Sequence, residues 1–154
     1  MDESKLSKLI LIKCPIKAET CNHLQSLKEL YELNLSILSA IPHAVVGLKD
    51  RTIFFANDSV EKVFGWKPEE LIGMKTRIFY RSDEDYEKIG KLLYPILKKQ
   101  RTHFADFPCV RKDGREILCR VSASVIGEEM TDRSIVVMYE DITEYHQIRE
   151  ALQK

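Results

Sequence analysis

The chain has 154 residues, 44% of them hydrophobic and 31% charged, which suffices for one domain of ordinary core size with short flanking elements and is too little for two. Lys plus Arg and Asp plus Glu both number 24, so the single-sign field that nucleic acid or an anionic membrane surface selects is missing. No nucleic-acid partner and no direct membrane contact are expected.

The longest N-terminal apolar run, Leu9 to Ile12, is cut by Lys13, far short of the roughly 20 residues that span a bilayer. Asp2 and Glu3 spoil the basic start of a secretory signal, so a cytoplasmic location is expected. Cys14, Cys21, Cys109 and Cys119 lack the density of a disulfide framework and are expected to be reduced. The Cys14, Cys21, His23 spacing matches no zinc finger or ribbon, and no metal site is expected.

Residues 1–22 mix Lys and Leu without a period around Pro15 and are expected to form a flexible N-terminal segment. Residues 23–41 are predicted to form an amphipathic helix. Leu24, Leu27, Tyr31, Asn34, Leu38 and Ile41 step by three and four, the spacing of a heptad seam, with a second stripe at Leu30, Leu33, Ile37 and Ala40. Pro42 ends it by disfavouring helical geometry at Ile41. The stripes fit packing on the chain's own domain or a parallel homodimer in which Asn34 fixes register; the homodimer is the expected partner interaction.

From residue 42 to 141 the pattern is mixed. Two β-branched and aromatic runs around Val46 and Phe54 flank the turn Lys49-Asp50-Arg51 and read as a hairpin. Asn57 or Asp58 is expected to cap a helix over Ser59 to Phe64 that Gly65 ends. Lys67-Pro68-Glu69-Glu70 opens a one-turn element closed by Gly73. Ser82 caps a longer helix, with Asp83, Glu84 and Asp85 at its positive end and Tyr86, Ile89, Gly90 and Leu93 on one face; Pro95 is expected to kink or end it. Thr102 to Val110, then Ile117 to Val125 at strict period two, then Ser134 to Tyr139 read as three strands, the first two joined by an Asp113-Gly114 turn. Residues 142–154 carry Ile142, Tyr145, Ile148 and Leu152 at helical spacing. With no C-cap glycine or proline after them, this helix is expected to be the start of an output helix leading to a further domain of the same polypeptide.

At this point the residues themselves resemble a known family. Ile37 to Asn57, ILSAIPHAVVGLKDRTIFFAN, is similar to the opening of a PAS domain, DSVEKVFGWKPEELIGM to its short helices, RKDGREILCRVSASVI to its fourth-strand hairpin, and the Asp141-Ile142-Thr143 triplet to its closing signature. The resemblance spans roughly residues 37 to 150, closest to PAS domains of bacterial histidine kinases, diguanylate cyclases and related signalling proteins. It implies an α+β fold: a five-stranded antiparallel sheet with short helices on one face, plus the N-terminal amphipathic and C-terminal output helices. It also implies a cleft that senses a ligand, cofactor or partner, with Asp141, Ile142 and Thr143 as the signalling junction.

The inward residues expected to line that cleft are Val46, Phe54, Phe64, Met74, Ile78, Phe79, Tyr86, Ile89, Leu93, Phe107, Cys109, Cys119, Val121, Val137 and Tyr139. They carry few charges, so a small, mostly apolar ligand is expected; the competing expectation is that they fill one another's space as an ordinary core. Flavin-photosensing members carry Gly-x-Asn-Cys-Arg where this chain has Gly73-Met74-Lys75-Thr76-Arg77, which excludes flavin–cysteine photochemistry. Haem is not expected, since Asp83 to Gln100 holds no His, and no other cofactor is assigned. No phosphate-binding loop, His-Glu-x-x-His or Gly-x-Ser-x-Gly occurs, so the chain is expected to be regulatory rather than catalytic. The functional expectation is a sensory module relaying cleft occupancy through its flanking helices; the alternative is a ligand-free dimerisation module.

Overall fold

The computed structural model describes residues 18–127 and 133–154, with side chains from Asn22 onward. The chain divides into two units, residues 1–40 and 41–154. In the first, helix α1 covers Ala18–Ala40. It opens earlier than expected because Ala18 and Glu19 are strong helix formers that carry the helix back toward Pro15; residues 18–22 therefore belong to the helix, while the flexible segment expected over 1–17 lies outside the described residues, as do the side chains of Cys14 and Cys21. Along α1, Leu24, Leu27, Leu30, Tyr31, Leu33 and Ile37 are exposed. Asn34 is exposed and Leu38 half-buried, and Ile41 lies beyond the helix end.

The second unit is built on five strands: β1 (Ala44–Lys49), β2 (Thr52–Ala56), β3 (Thr102–Val110), β4 (Glu116–Val125) and β5 (Ile135–Asp141). They form one sheet in the order β2-β1-β5-β4-β3, and all four pairings are antiparallel. The period-two pattern sets which residues point into the core. Ile117, Cys119, Val121 and Ala123 of β4 are buried and alternate with half-buried neighbours, and on β5 Ile135, Val137 and Tyr139 are buried.

Between β2 and β3 run α2 (Ser59–Phe64), α3 (Pro68–Leu71), a 3-10 turn (Thr76–Phe79) and α4 (Asp83–Leu97). Gly65 ends α2 at φ +80°, its N–H bonded to the Glu61 carbonyl, the left-handed stop that glycine allows. Pro68 opens α3, with the Glu70 carboxylate accepting from the Lys67 N–H at 2.9 Å. Ser82 caps α4 by accepting from the Asp85 N–H at 3.1 Å. After β5 comes α5 (Thr143–Leu152).

Three local expectations are corrected. Neither Asn57 nor Asp58 caps α2 through its side chain. Asn57 is buried and its amide is used otherwise, accepting from Val45 N–H at 2.9 Å and donating to the His43 carbonyl at 3.0 Å, which clamps the start of β1 to the end of β2. Pro95 does not end α4, which runs on to Leu97; so near the C-terminus, its missing N–H costs one bond of the last turn. Phe54 does not face the core. The register between β1 and β2 shifts at Gly47/Leu48, leaving Phe54 without a partner as the extra residue of a bulge. Its ring is 53% exposed and lies over Gly47, where an added Cβ would stand 2.8 Å from the ring.

Candidate functional site

Most of the expected cleft residues pack against one another. Phe64 and Phe79 stack with ring centroids 4.1 Å apart, and Tyr139 meets both rings edge-on at 5.1 and 5.4 Å. Val46, Phe107, Cys109, Cys119 and Val121 are buried in the same cluster, with Ile78 and Tyr86 half-buried at its border; Met74 is also half-buried. Pairing with Cys119, and after it burial, holds the Cys109 thiol well above the usual thiol range, and the protonated Sγ donates to the Phe107 carbonyl at 3.7 Å. Such a thiol is a small hydrophobe, not a reactive group.

Beside this packed cluster lies a small, half-open cavity of about 20 Å³ between α4 and strands β1 and β5, with Leu48, Ile89, Leu93, Ile135 and Val137 as apolar walls and Arg51, Thr76, Tyr80, Gly90, Tyr94 and Tyr139 supplying polar atoms or backbone. That holds roughly one water-sized group. Of the expected cleft residues only Ile89, Leu93, Val137 and Tyr139 line it. Leu48 and Ile135 were legible as the next inward positions along β1 and β5; Arg51, Tyr80 and Tyr94 were not.

The polar atoms are held by unlike means. The Tyr80 and Tyr139 hydroxyls lie 3.1 Å apart and bond to each other inside the core, and burial pushes both phenols well above their ordinary range. The Tyr94 hydroxyl is buried with no hydrogen-bond partner, and burial raises its pKa as well. Arg51 reaches the cavity from the β1–β2 turn, where Asp50 and Arg51 both adopt positive φ, +45° and +65°. Its guanidinium donates to the Tyr86 carbonyl, lies 3.2 Å from the Tyr86 ring centroid and stands 3.7 Å from the Glu87 carboxylate. Gly90 makes this approach possible, since a Cβ there would meet Arg51 Nη1 at 3.0 Å.

β5 carries Tyr139 from the cavity to the junction. Asp141 Oδ1 accepts from both the N–H and the hydroxyl of Thr143, at 3.0 and 2.5 Å. The Leu118 N–H of β4 donates to Thr143 Oγ1 at 2.9 Å, and the Ile142 N–H donates back to the Leu118 carbonyl at 2.9 Å. Ile142 is buried. The three expected junction residues thus lock the start of α5 onto β4.

The sequence profile of the PAS fold matches residues 32–142. The chain belongs to the PAS family. Its PAS domain is 27% identical over 111 residues to the sensor protein TdiS of Thauera aromatica, covering 72% of this chain and 20% of that relative's length. Among solved structures it is similar to a PAS domain from Colwellia psychrerythraea (TM-score 0.68, 19% identity, covering 75% of this chain and 98% of that one). It is also similar to the ethanol-bound PAS domain of a LuxR-family transcriptional regulator from Burkholderia thailandensis (TM-score 0.64, 23% identity, covering 70% and 95%). PAS domains of this kind belong to sensor and regulator proteins and are regulatory rather than catalytic. No described helix is long and apolar enough to cross a membrane.

Proposed function

We propose that this chain is the sensory PAS module of a signal-transduction protein, that a small molecule entering between α4 and β5 is its signal, and that the change leaves through α5 to an output domain. The observation that carries the reading is the Tyr94 hydroxyl, buried in the wall of the cavity without a partner. Buried polar groups are nearly always satisfied, and one left open beside a cavity suits a ligand that completes it. The relay rests on Tyr139, which lines the cavity two residues ahead of the Asp141–Thr143 lock on β4. The family likeness to a sensor protein and to an ethanol-bound regulator supports the same reading. The small cavity narrows the expectation of a mostly apolar ligand: it has room for about one water-sized group, so a larger ligand enters by moving α4.

The test is thermal unfolding of the whole chain against a panel of small alcohols and carboxylates, with amide exchange of the first turn of α5 as the relay readout. A raised midpoint together with altered exchange at Glu144 to Gln147 is expected, since a ligand specific to the folded state must raise the midpoint. A second reading, a ligand-free homodimer acting through α1, is favoured by the exposed Leu24, Leu27 and Tyr31 at heptad spacing. If no compound moves the midpoint and deletion of residues 1–41 turns a dimer into a monomer, that second reading replaces the first.

A further inference from the structure

Outside the cavity, between the β1–β2 turn and α4, opens a cleft of about 360 Å³, and Arg51, Gly90 and Tyr94 stand in the walls of both spaces. Four cationic side chains, Arg51, Lys75, Lys91 and Arg133, line this outer cleft against two carboxylates, Asp50 and Glu87. The existing pairs are replaceable. Arg51 meets Glu87 at 3.7 Å and Arg133 meets Asp50 at 3.4 Å, with the two carboxylates 61% and 67% exposed, and exposed pairs of this kind add little. Lys75 Nζ spends one donor on the Asp50 carbonyl at 2.8 Å. Arg133 lies over the Tyr94 ring at 3.9 Å, and Tyr94, its hydroxyl unspent, shares the walls of both spaces with Arg51.

An apolar chamber therefore meets a cationic one at a hydroxyl that burial keeps protonated and able to donate. A carboxylate accepts from a guanidinium through two oxygens and still has lone pairs for a third donor. A neutral alcohol would use the hydroxyl and leave the cations idle. A dianion would carry a second charge toward Leu48, Ile89 and Ile135, where the lining offers the hydroxyls of Thr76, Tyr80 and Tyr139 but no cation beyond Arg51.

We propose that the cleft takes a small aliphatic monocarboxylate, its carboxylate on Arg51 and the Tyr94 hydroxyl and its short tail toward Leu48, Ile89 and Ile135. This rests on the cleft being the sensory site and names the chemical class it senses. The inner chamber takes about one methyl-sized group as it stands, so a short tail needs only a small displacement of α4 from β5 and a long one a large displacement.

The experiment titrates the whole chain with sodium propionate and butyrate at millimolar concentration, against matched sodium chloride and the corresponding amides, reading thermal midpoint and calorimetric affinity. The carboxylates are expected to raise the midpoint and the amides not. Arg51→Gln should weaken butyrate binding about tenfold or more, the loss of a charge-assisted hydrogen bond, and octanoate should bind more weakly than butyrate. Lys91 is exposed on α4, so Lys91→Gln keeps the fold and should weaken binding several-fold and flatten its salt dependence, which decides the matter if the Arg51 variant does not fold. Amides binding as well as carboxylates, or butyrate binding unchanged in both variants, would overturn the inference while leaving ligand gating intact. Failure of carboxylates, amides and alcohols alike would overturn both.

Discussion

Two phenylalanines that read alike in the sequence part company in the fold. Phe64 is fully buried, stacked on Phe79 and edge-on to Tyr139, whereas Phe54 is 53% exposed at a bulge. Phe64→Ala is expected to cost about 3–5 kcal/mol of stability, transfer and cavity terms together, and Phe54→Ala under about 1 kcal/mol, both read from urea unfolding. Equal costs would mean that the outer ring is covered. The Tyr80–Tyr139 pair makes a subtler case. Each hydroxyl is the other's hydrogen-bond partner inside the core, so either single Tyr→Phe change strands one buried hydroxyl at a cost of about 1–3 kcal/mol. The double variant strands none and should be no less stable than the better single one; an additive loss would show that the hydroxyls act independently.

At the level of elements, periodicity carried most of the reading. Alternation located β3, β4 and β5, Ser82 and Gly65 marked helix ends, and the Asp141-Ile142-Thr143 triplet fell where β5 passes into α5. Pairwise geometry did not show in the same way. Arg51 reaches the cleft because two consecutive turn residues adopt positive φ and because Gly90, on a helix far along the chain, has no Cβ to block it; neither condition has a period. Tyr94 stands beside Pro95, at the end of the helix, where the apolar period no longer says which way a side chain points, and the β2 bulge that turns Phe54 outward has no local signal. The junction is the element most open to test. Thr143 accepts from β4 and donates to Asp141 through one hydroxyl, so Thr143→Val, equal in shape, removes both bonds. About 1–2 kcal/mol should be lost, with faster amide exchange confined to the first turn of α5 and at Leu118. Exchange unchanged at those sites would mean that Ile142 alone anchors the helix.

Across the whole domain, three phenols and one thiol of the core share one tendency. Burial holds the phenols of Tyr80, Tyr94 and Tyr139 above their ordinary range, and Cys109, beside Cys119 and buried, is held up likewise. Each is neutral in the folded state at a pH where the unfolded chain would already ionise. The unfolded state therefore binds fewer protons than the native one above the free-group values, about 8.5 for a thiol and about 10 for a phenol, and stability must fall as pH rises. Below those values both states are protonated and the contribution is fully present, so these groups impose no slope between pH 6 and 8. One unit above the free phenol value, each phenol that stays neutral removes about 1.4 kcal/mol. Urea midpoints measured from pH 7 to 11 should hold level and then drop above about pH 9. Loss of charge on exposed lysines also begins near pH 10, so the deciding comparison is internal: the Tyr80→Phe/Tyr139→Phe variant keeps every lysine and lacks the two fully buried phenols. Its alkaline slope should be shallower by about the two phenols' share. Parallel curves for the two proteins would mean that these hydroxyls reach solvent, and the packed core around the cavity would have to be redrawn.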